Sequence, residues 1–176
     1  KQLSQLSIIL SKHPRDILQA MLDWYNENNK NFYFRGGRLT AAIFSDFPKD
    51  FQDCLIGVIQ QKEYKFIIEI LRNYHGNFSV HHICKELVKV VPETMLDEIS
   101  NILQPTGVFR ERFEQVQVLE DSKKEMGIWK NDPDSRISNF AENHIKHLDK
   151  RIASENKRAT EDIEFRKHQY NNHDTQ

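Results

Sequence analysis

The chain has 176 residues, with 25 Lys and Arg set against 26 Asp and Glu for a net charge of −1. That length supports one domain hiding about 70% of the surface its unfolded form exposes, and the charge balance excludes a global field that would gather nucleic acid or an anionic membrane. No apolar run approaches the roughly 20 residues of a membrane span and no segment reads as a signal peptide, so a soluble, cytoplasmic protein is expected.

In chain order, an apolar pattern at Leu3, Leu6, Ile9 and Leu10 is already under way at the first residue, Lys1, and the chain reads as a piece of a larger protein. Pro14 opens a helix, since its missing amide hydrogen is not needed in a first turn, and Ile17, Leu18, Met21, Leu22 and Tyr25 then share one face. The polar run 26–31 and Gly36-Gly37 predict a loop. Pro48 starts the next helix, with Phe51, Leu55, Val58 and Ile59 inward. After a break near Gln60-Gln61 the pattern resumes at Tyr64, Ile67, Ile68 and Leu71 and stops at Gly76.

Ser79 is suited to cap a helix that buries Ile83, Leu87 and Val90 or Val91. Pro92 breaks that helix and opens another, with Met95, Leu96, Ile99, Ile102 and Leu103 on its apolar face before Pro105-Thr106-Gly107 ends it. Residues 108–119 suit either a helix or a small hairpin, with helix favoured. Asp132 caps a final helix with Pro133 in its first turn. That helix runs to about residue 169, about 55 Å at 1.5 Å per residue. Its stripe is Ile137, Ala141, Ile145, Leu148, Ile152, Ala159 and Ile163, thinning after Ile152.

Pairs of short helices separated by Pro or Gly are the way helical solenoids bury faces that one pair cannot bury alone. The fold class read from the sequence is therefore all-α, irregular HEAT-like helical repeats ending in a long C-terminal helix. The expected division is a body over 1–130 and a long helix with a disordered tail over 131–176.

Asp132-Pro133-Asp134-x-Arg136-Ile137-x-x-Phe140-Ala141 resembles the turn and second helix of HEAT-type repeats. The wider context includes Thr106-Gly107-Val108, Lys123-Lys124-Glu125 through Trp129, and Ile152-Ala153-x-Glu155-x-x-Arg158-Ala159-x-x-Asp162-Ile163-Glu164-x-Arg166-Lys167. It resembles the C-terminal helical tail of large bacterial nucleotide-binding signalling proteins, the signal-transduction ATPases with numerous domains, some of which act against bacteriophage. The resemblance covers residues 60–170 and its motifs are structural. It implies that the ATPase lies outside this chain, which has no Gly-x-x-x-x-Gly-Lys-Ser/Thr loop. Arg110-Glu111-Arg112 departs from it, standing where small residues or glycine are expected.

His75, His81, His82 and Cys84 are metal ligands by type, but adjacent helical histidines point about 100° apart and cannot both face one ion undistorted. A nucleophilic Cys84 and His81 pair fits helical spacing, without any group to orient it or to hold an oxyanion. The two thiols, Cys54 and Cys84, sit on apolar faces and read as buried rather than bridged. Arg35-Gly36-Gly37-Arg38 could cradle a phosphate, though a loop flanked by solvated arginines is favoured. Trp24, Tyr25, Phe32, Tyr33 and Phe34 would form a recognition patch if exposed, and packing beneath that loop is favoured.

A winged helix over 62–119, with its wing at 108–118, would place Glu93, Asp97 and Glu98 on the reading helix, which disfavours DNA. Along the last helix, Lys146, Lys150, Arg151, Lys157, Arg158, Arg166 and Lys167 interleave with Asp149, Glu155, Glu161, Asp162 and Glu164, so short ion pairs are expected instead of a basic surface.

The reading is a non-catalytic interaction, scaffold or sensor module. No catalytic residue, metal or cofactor is assigned. A nucleic-acid-binding module is the runner-up and a metal-dependent hydrolase ranks below it. Trp129, Asp132, Pro133, Arg136, Phe140 and Ala141 would hold the repeat junction. Ile152, Arg158, Ile163 and Arg166 would face a protein partner, other domains of the parent protein or a second copy, with neither membrane nor nucleic acid expected.

Overall fold

The computed structural model describes residues 2–74, 80–105 and 112–171, with side chains over 6–74, 80–105 and 113–165. Among them every regular element is helical and no residue lies in a strand, so the protein is all-α. No helix among the described residues is long and apolar enough to cross a membrane.

The chain divides into two compact units, Lys1–Gln104 and Pro105–Gln176, so the boundary lies at 104/105 and not at 130/131 as expected. The expectation failed because the helix before Asp132 pairs with the helix after it, which binds them into one unit. The winged-helix reading falls with it. Val116 to Val118, assigned to the wing, are helical, and 108–111 lie outside the described residues.

The first unit contains α1 (Gln2–Leu10), α2 (Pro14–Glu27), a short turn α3 (Asn29–Asn31), a π-helical turn Phe32–Gly36, α4 (Gly37–Ile43), α5 (Lys49–Gln60), α6 (Tyr64–Leu71), α7 (Val80–Val90) and α8 (Leu96–Ile102). At its centre is α6, Tyr-Lys-Phe-Ile-Ile-Glu-Ile-Leu, where Phe66, Ile67, Ile68, Ile70 and Leu71 are all fully buried. A helix apolar nearly all round must be enclosed, and α4, α5 and α8 pack against it. Phe44 stacks on Phe51 with centroids 4.1 Å apart, and Phe47 stands edge-on to Tyr74 at 4.8 Å. The break after α5 is made by Lys62, whose φ of 67° is the left-handed stop normally given to glycine.

The predicted loop at 26–37 is a correction. Asn28 caps α3 by accepting from the Asn31 amide at 3.2 Å, and the chain stays helical through both glycines, with φ −63° at Gly36 and −60° at Gly37. The physical reason is close approach and not flexibility. A Cβ on Gly36 would collide with the Phe32 ring, and one on Gly37 would crowd the Asn73 amide and lie 2.9 Å from the Glu69 carbonyl oxygen. Gly37 is thus where α4 can reach the backbone of α6. Thr40 lies one turn on, donating its hydroxyl to the Gly36 carbonyl at 2.9 Å and receiving the Tyr74 hydroxyl on its own carbonyl at 3.2 Å. The predicted caps and stops at Gly76 and Ser79 lie outside the described residues. At the end of α7 it is Val91, just beyond the helix, and not Val90 that turns inward, Val90 being 47% exposed.

The second unit is an antiparallel pair, α9 (Arg112–Lys130) and α10 (Ser135–Asn171, 37 residues). Leu119, Ser122, Met126 and Trp129 of α9 are buried, as are Ile137, Ala141, His144, Leu148, Ile152, Glu155 and Ala159 of α10. The α10 positions recur at four, three and four residues, an 11-residue period of 3.67 per turn, so the stripe runs almost straight along an α-helix. His144 takes the place expected for Ile145, stacking on Phe140 at 5.9 Å, and Ile163 falls outside the stripe at 41% exposure. The cap also differs. Asp134, not Asp132, precedes the first turn and accepts from the Arg136 amide at 2.9 Å, while Asp132 accepts from the Asp134 amide at 2.9 Å and sets that residue in place.

Four substitutions test this account by urea unfolding. Gly37→Ala is expected to destabilise by about 1–3 kcal/mol through forced separation of α4 and α6. Gly127→Ala, at a helical position whose added Cβ meets nothing within 4 Å, is expected to stabilise by about 0.5–1 kcal/mol. For the cap, Asp134→Ala should cost about 1 kcal/mol, more than Asp132→Ala.

Candidate functional site

Among the described residues of the first unit, two concavities stand out. The larger, about 800 Å³, separates the N-terminal half of α2 from α5 and is lined by Arg15, Asp16, Asp50, Asp53, Cys54 and Gly57 among others. Its charges largely cancel, and Asp53 is already held by Lys49 at 2.6 Å. Burial pushes the half-buried Cys54 thiol up, with Arg15 drawing it partly back, so no thiolate is prepared for attack. The one sequence signal for this cleft is Gly57, a helical glycine with open space over it.

The smaller, about 330 Å³, is lined by Tyr25, Asn29, Lys30, Tyr33, Phe34 and Glu69. The π-helical turn builds it. Phe32 goes inward and is fully buried against Trp24, Tyr25 and Phe66 at 5.4–5.5 Å, while the next two rings point out. Tyr33 and Phe34 are 57% and 68% exposed and stand perpendicular, 5.4 Å between centroids. The five aromatic residues therefore divide. Trp24, Tyr25 and Phe32 pack as expected, whereas Tyr33 and Phe34 form the exposed surface that the favoured reading had denied them.

Glu69 comes to this cleft from α6 and is bound to Arg72 at 2.7 Å, whose other nitrogen holds Glu98 of α8 at 2.7 Å. Burial raises the Glu69 carboxyl above the usual range, Arg72 pulls it partly back and Glu98 pushes it up again. Tyr25 is raised first by burial and then by Glu69, Glu63 and Glu98, so its phenol feels a locally negative field.

The other predicted sites resolve as follows. Gly36 and Gly37 are buried and helical, so the phosphate cradle is not formed, although Arg35 and Arg38 are exposed. Cys84 is fully buried, which drives its thiol far up, with His81 half-buried and His82 exposed; His75 lies outside the described residues. No three His, Cys, Asp or Glu among the described residues converge as metal ligands.

Trp129, Phe140 and Ala141 are buried at the closed end of the α9–α10 pair, Trp129 to Phe140 at 6.3 Å, with Arg136 half-buried and Pro133 exposed. Ile152 is a correction as a partner-facing residue, being 7% exposed in the stripe of its own helix. Arg158 is exposed and binds Glu155 at 2.9 Å, and the Arg166 side chain lies outside the described residues. The charges on α10 pair at short range, Lys157 with Glu161 at 3.8 Å and Asp149 across to Lys123 of α9 at 2.6 Å. Sequence reading missed Phe165, which is 64% exposed near Ile163.

Comparison with protein-family models, with curated proteins and with solved structures finds no match.

The thiol environments are testable with a chromogenic disulfide reagent near pH 8. In the native protein Cys54 is expected to react slowly and Cys84 only as fast as the fold opens, both becoming rapid in urea. Fast native labelling of Cys84 would contradict its burial.

Proposed function

We propose that this chain is a non-catalytic interaction or scaffold module. We also propose that it is the C-terminal helical part, of irregular HEAT-like build, of a larger cytoplasmic bacterial protein of the nucleotide-binding class that acts in signalling or in defence against bacteriophage. The family assignment is supported by the motif from Asp132 to Ala141, whose two aspartates set the turn and whose apolar residues are buried beyond it.

The observation that carries the interaction reading is at the far part of α10. This helix has 37 residues against 19 in α9, its paired helix, and beyond Ala159 it displays Ile163 and Phe165 at 41% and 64% exposure. Ile163 extends the spacing of the stripe while Phe165 faces the far side of the helix, so a contact that covers both must wrap the helix end. Arg158 and its ion pair with Glu155 lie about one to three turns earlier, where a charged rim around an apolar contact would form.

Light scattering across a concentration series tests the reading, with Ile163→Asp and Phe165→Asp as variants. Both positions are exposed, so the fold is expected to survive by circular dichroism. A mass above the 20.9 kDa of one chain, returning to it in the variants with association weakened about tenfold or more, is the expected outcome. A wild type at the mass of one chain throughout would overturn self-association through this end. Truncation should begin after Thr160, because Glu155 and Ala159 are buried.

A further inference from the structure

We infer that the cleft formed by Tyr25, Tyr33, Phe34 and Glu69 receives a weakly hydrated organic cation, a guanidinium or methylated ammonium, carried as a side chain by a partner polypeptide. The inference rests on the interaction reading above but uses a different surface, in the other unit.

The chemistry of the walls selects the ligand. Two exposed rings at 90° to one another, 5.4 Å apart, offer a face and an edge in a corner, and Tyr25 adds a third, half-buried ring. Aromatic faces are negative and attract cations, most strongly those that shed water easily. Glu69 supplies a formal negative charge, and its removal from water is the main reason its carboxyl is raised, so a positive group entering the cleft recovers interaction that solvent no longer provides. Glu63 and Glu98 add to the negative field at Tyr25. Arg72 neutralises one carboxylate of the Glu69 and Glu98 pair but does not reverse the sign among these acids. Lys30 lines one edge and opposes an incoming cation.

The geometry selects the source. A free small molecule typically loses 70–90% of its surface to its pocket. Here two of the walls, Tyr33 and Phe34, are themselves more than half exposed, which suits a side chain reaching in from a backbone that remains outside. A purely greasy contact would not need Glu69, whose carboxylate an alkyl or aryl group would desolvate further with Arg72 shared between it and Glu98.

The test uses the full chain and three fluorescent peptides of otherwise neutral sequence, with a central arginine, trimethyllysine or norleucine, read by anisotropy at physiological salt. Saturable binding of at least one cationic peptide, about tenfold tighter than the norleucine peptide, is expected. Tyr33→Ala, Phe34→Ala and Glu69→Gln are each expected to weaken it about tenfold, and Lys30→Ala to strengthen it about twofold to fivefold. Tyr33 and Phe34 are exposed, so their loss leaves the fold intact, with circular dichroism as the control.

Equal binding of the norleucine peptide, binding indifferent to Tyr33→Ala and Phe34→Ala, or no binding of any peptide would overturn the site. Tetramethylammonium competing at the same concentration as the peptide would overturn the side-chain source. Because Ile163 and Phe165 lie elsewhere, a cleft that fails while their variants still dissociate the assembly removes only this site. A cleft that binds while the α10 variants change nothing removes only the α10 reading.

Discussion

The missing side chain at Gly37 is the constraint on which the first unit depends. Without a Cβ there, α4 lies against the α6 backbone at Glu69, and the apolar circumference of α6 can be closed by neighbours on several sides. Thr40 and Tyr74 then complete a polar seam through this contact, each hydroxyl answered by a backbone carbonyl. The Tyr74 phenol is raised by burial, so it remains a neutral donor throughout the physiological range. The π-helical turn lies just before Gly37, and it sends one aromatic ring into the core and two into solvent. Core packing and surface display thus adjoin one backbone contact.

The second unit solves a different problem. Its helices are rich in charge, and their burial is confined to a stripe one side chain wide. Ala141 and Ala159 contribute little area, so aromatic stacking of Trp129, Phe140 and His144 gives the closed end much of its apolar contact. Ion pairs clothe the remainder. Most are exposed and contribute little individually.

Helix positions were legible in the sequence where proline and apolar periodicity agreed, as at Pro14, Pro48 and Pro92, and the 37-residue length of the last helix was visible in its unbroken pattern. Gly36 and Gly37 misled because glycine signals both a flexible loop and a close helix contact, and only the neighbour across the gap distinguishes them. That neighbour, Glu69, is 32 positions away. For the same reason Glu69 could not be joined to Tyr33 and Phe34 from local pattern alone, so the aromatic cleft was half seen. The division of the chain was misplaced because Pro133 looks like a boundary, although it turns one helix back onto its own partner. At the start of α10, Asp132 and Asp134 are equally good caps by type, and the turn geometry chooses the second.

Between Ser135 and Asn171 there is neither glycine nor proline, the residues at which long helices usually bend sharply. Torsion imposed at one terminus of such a strut meets no glycine or proline at which to localise before the other. The segment is thus about 55 Å of helix without an inbuilt break of either kind.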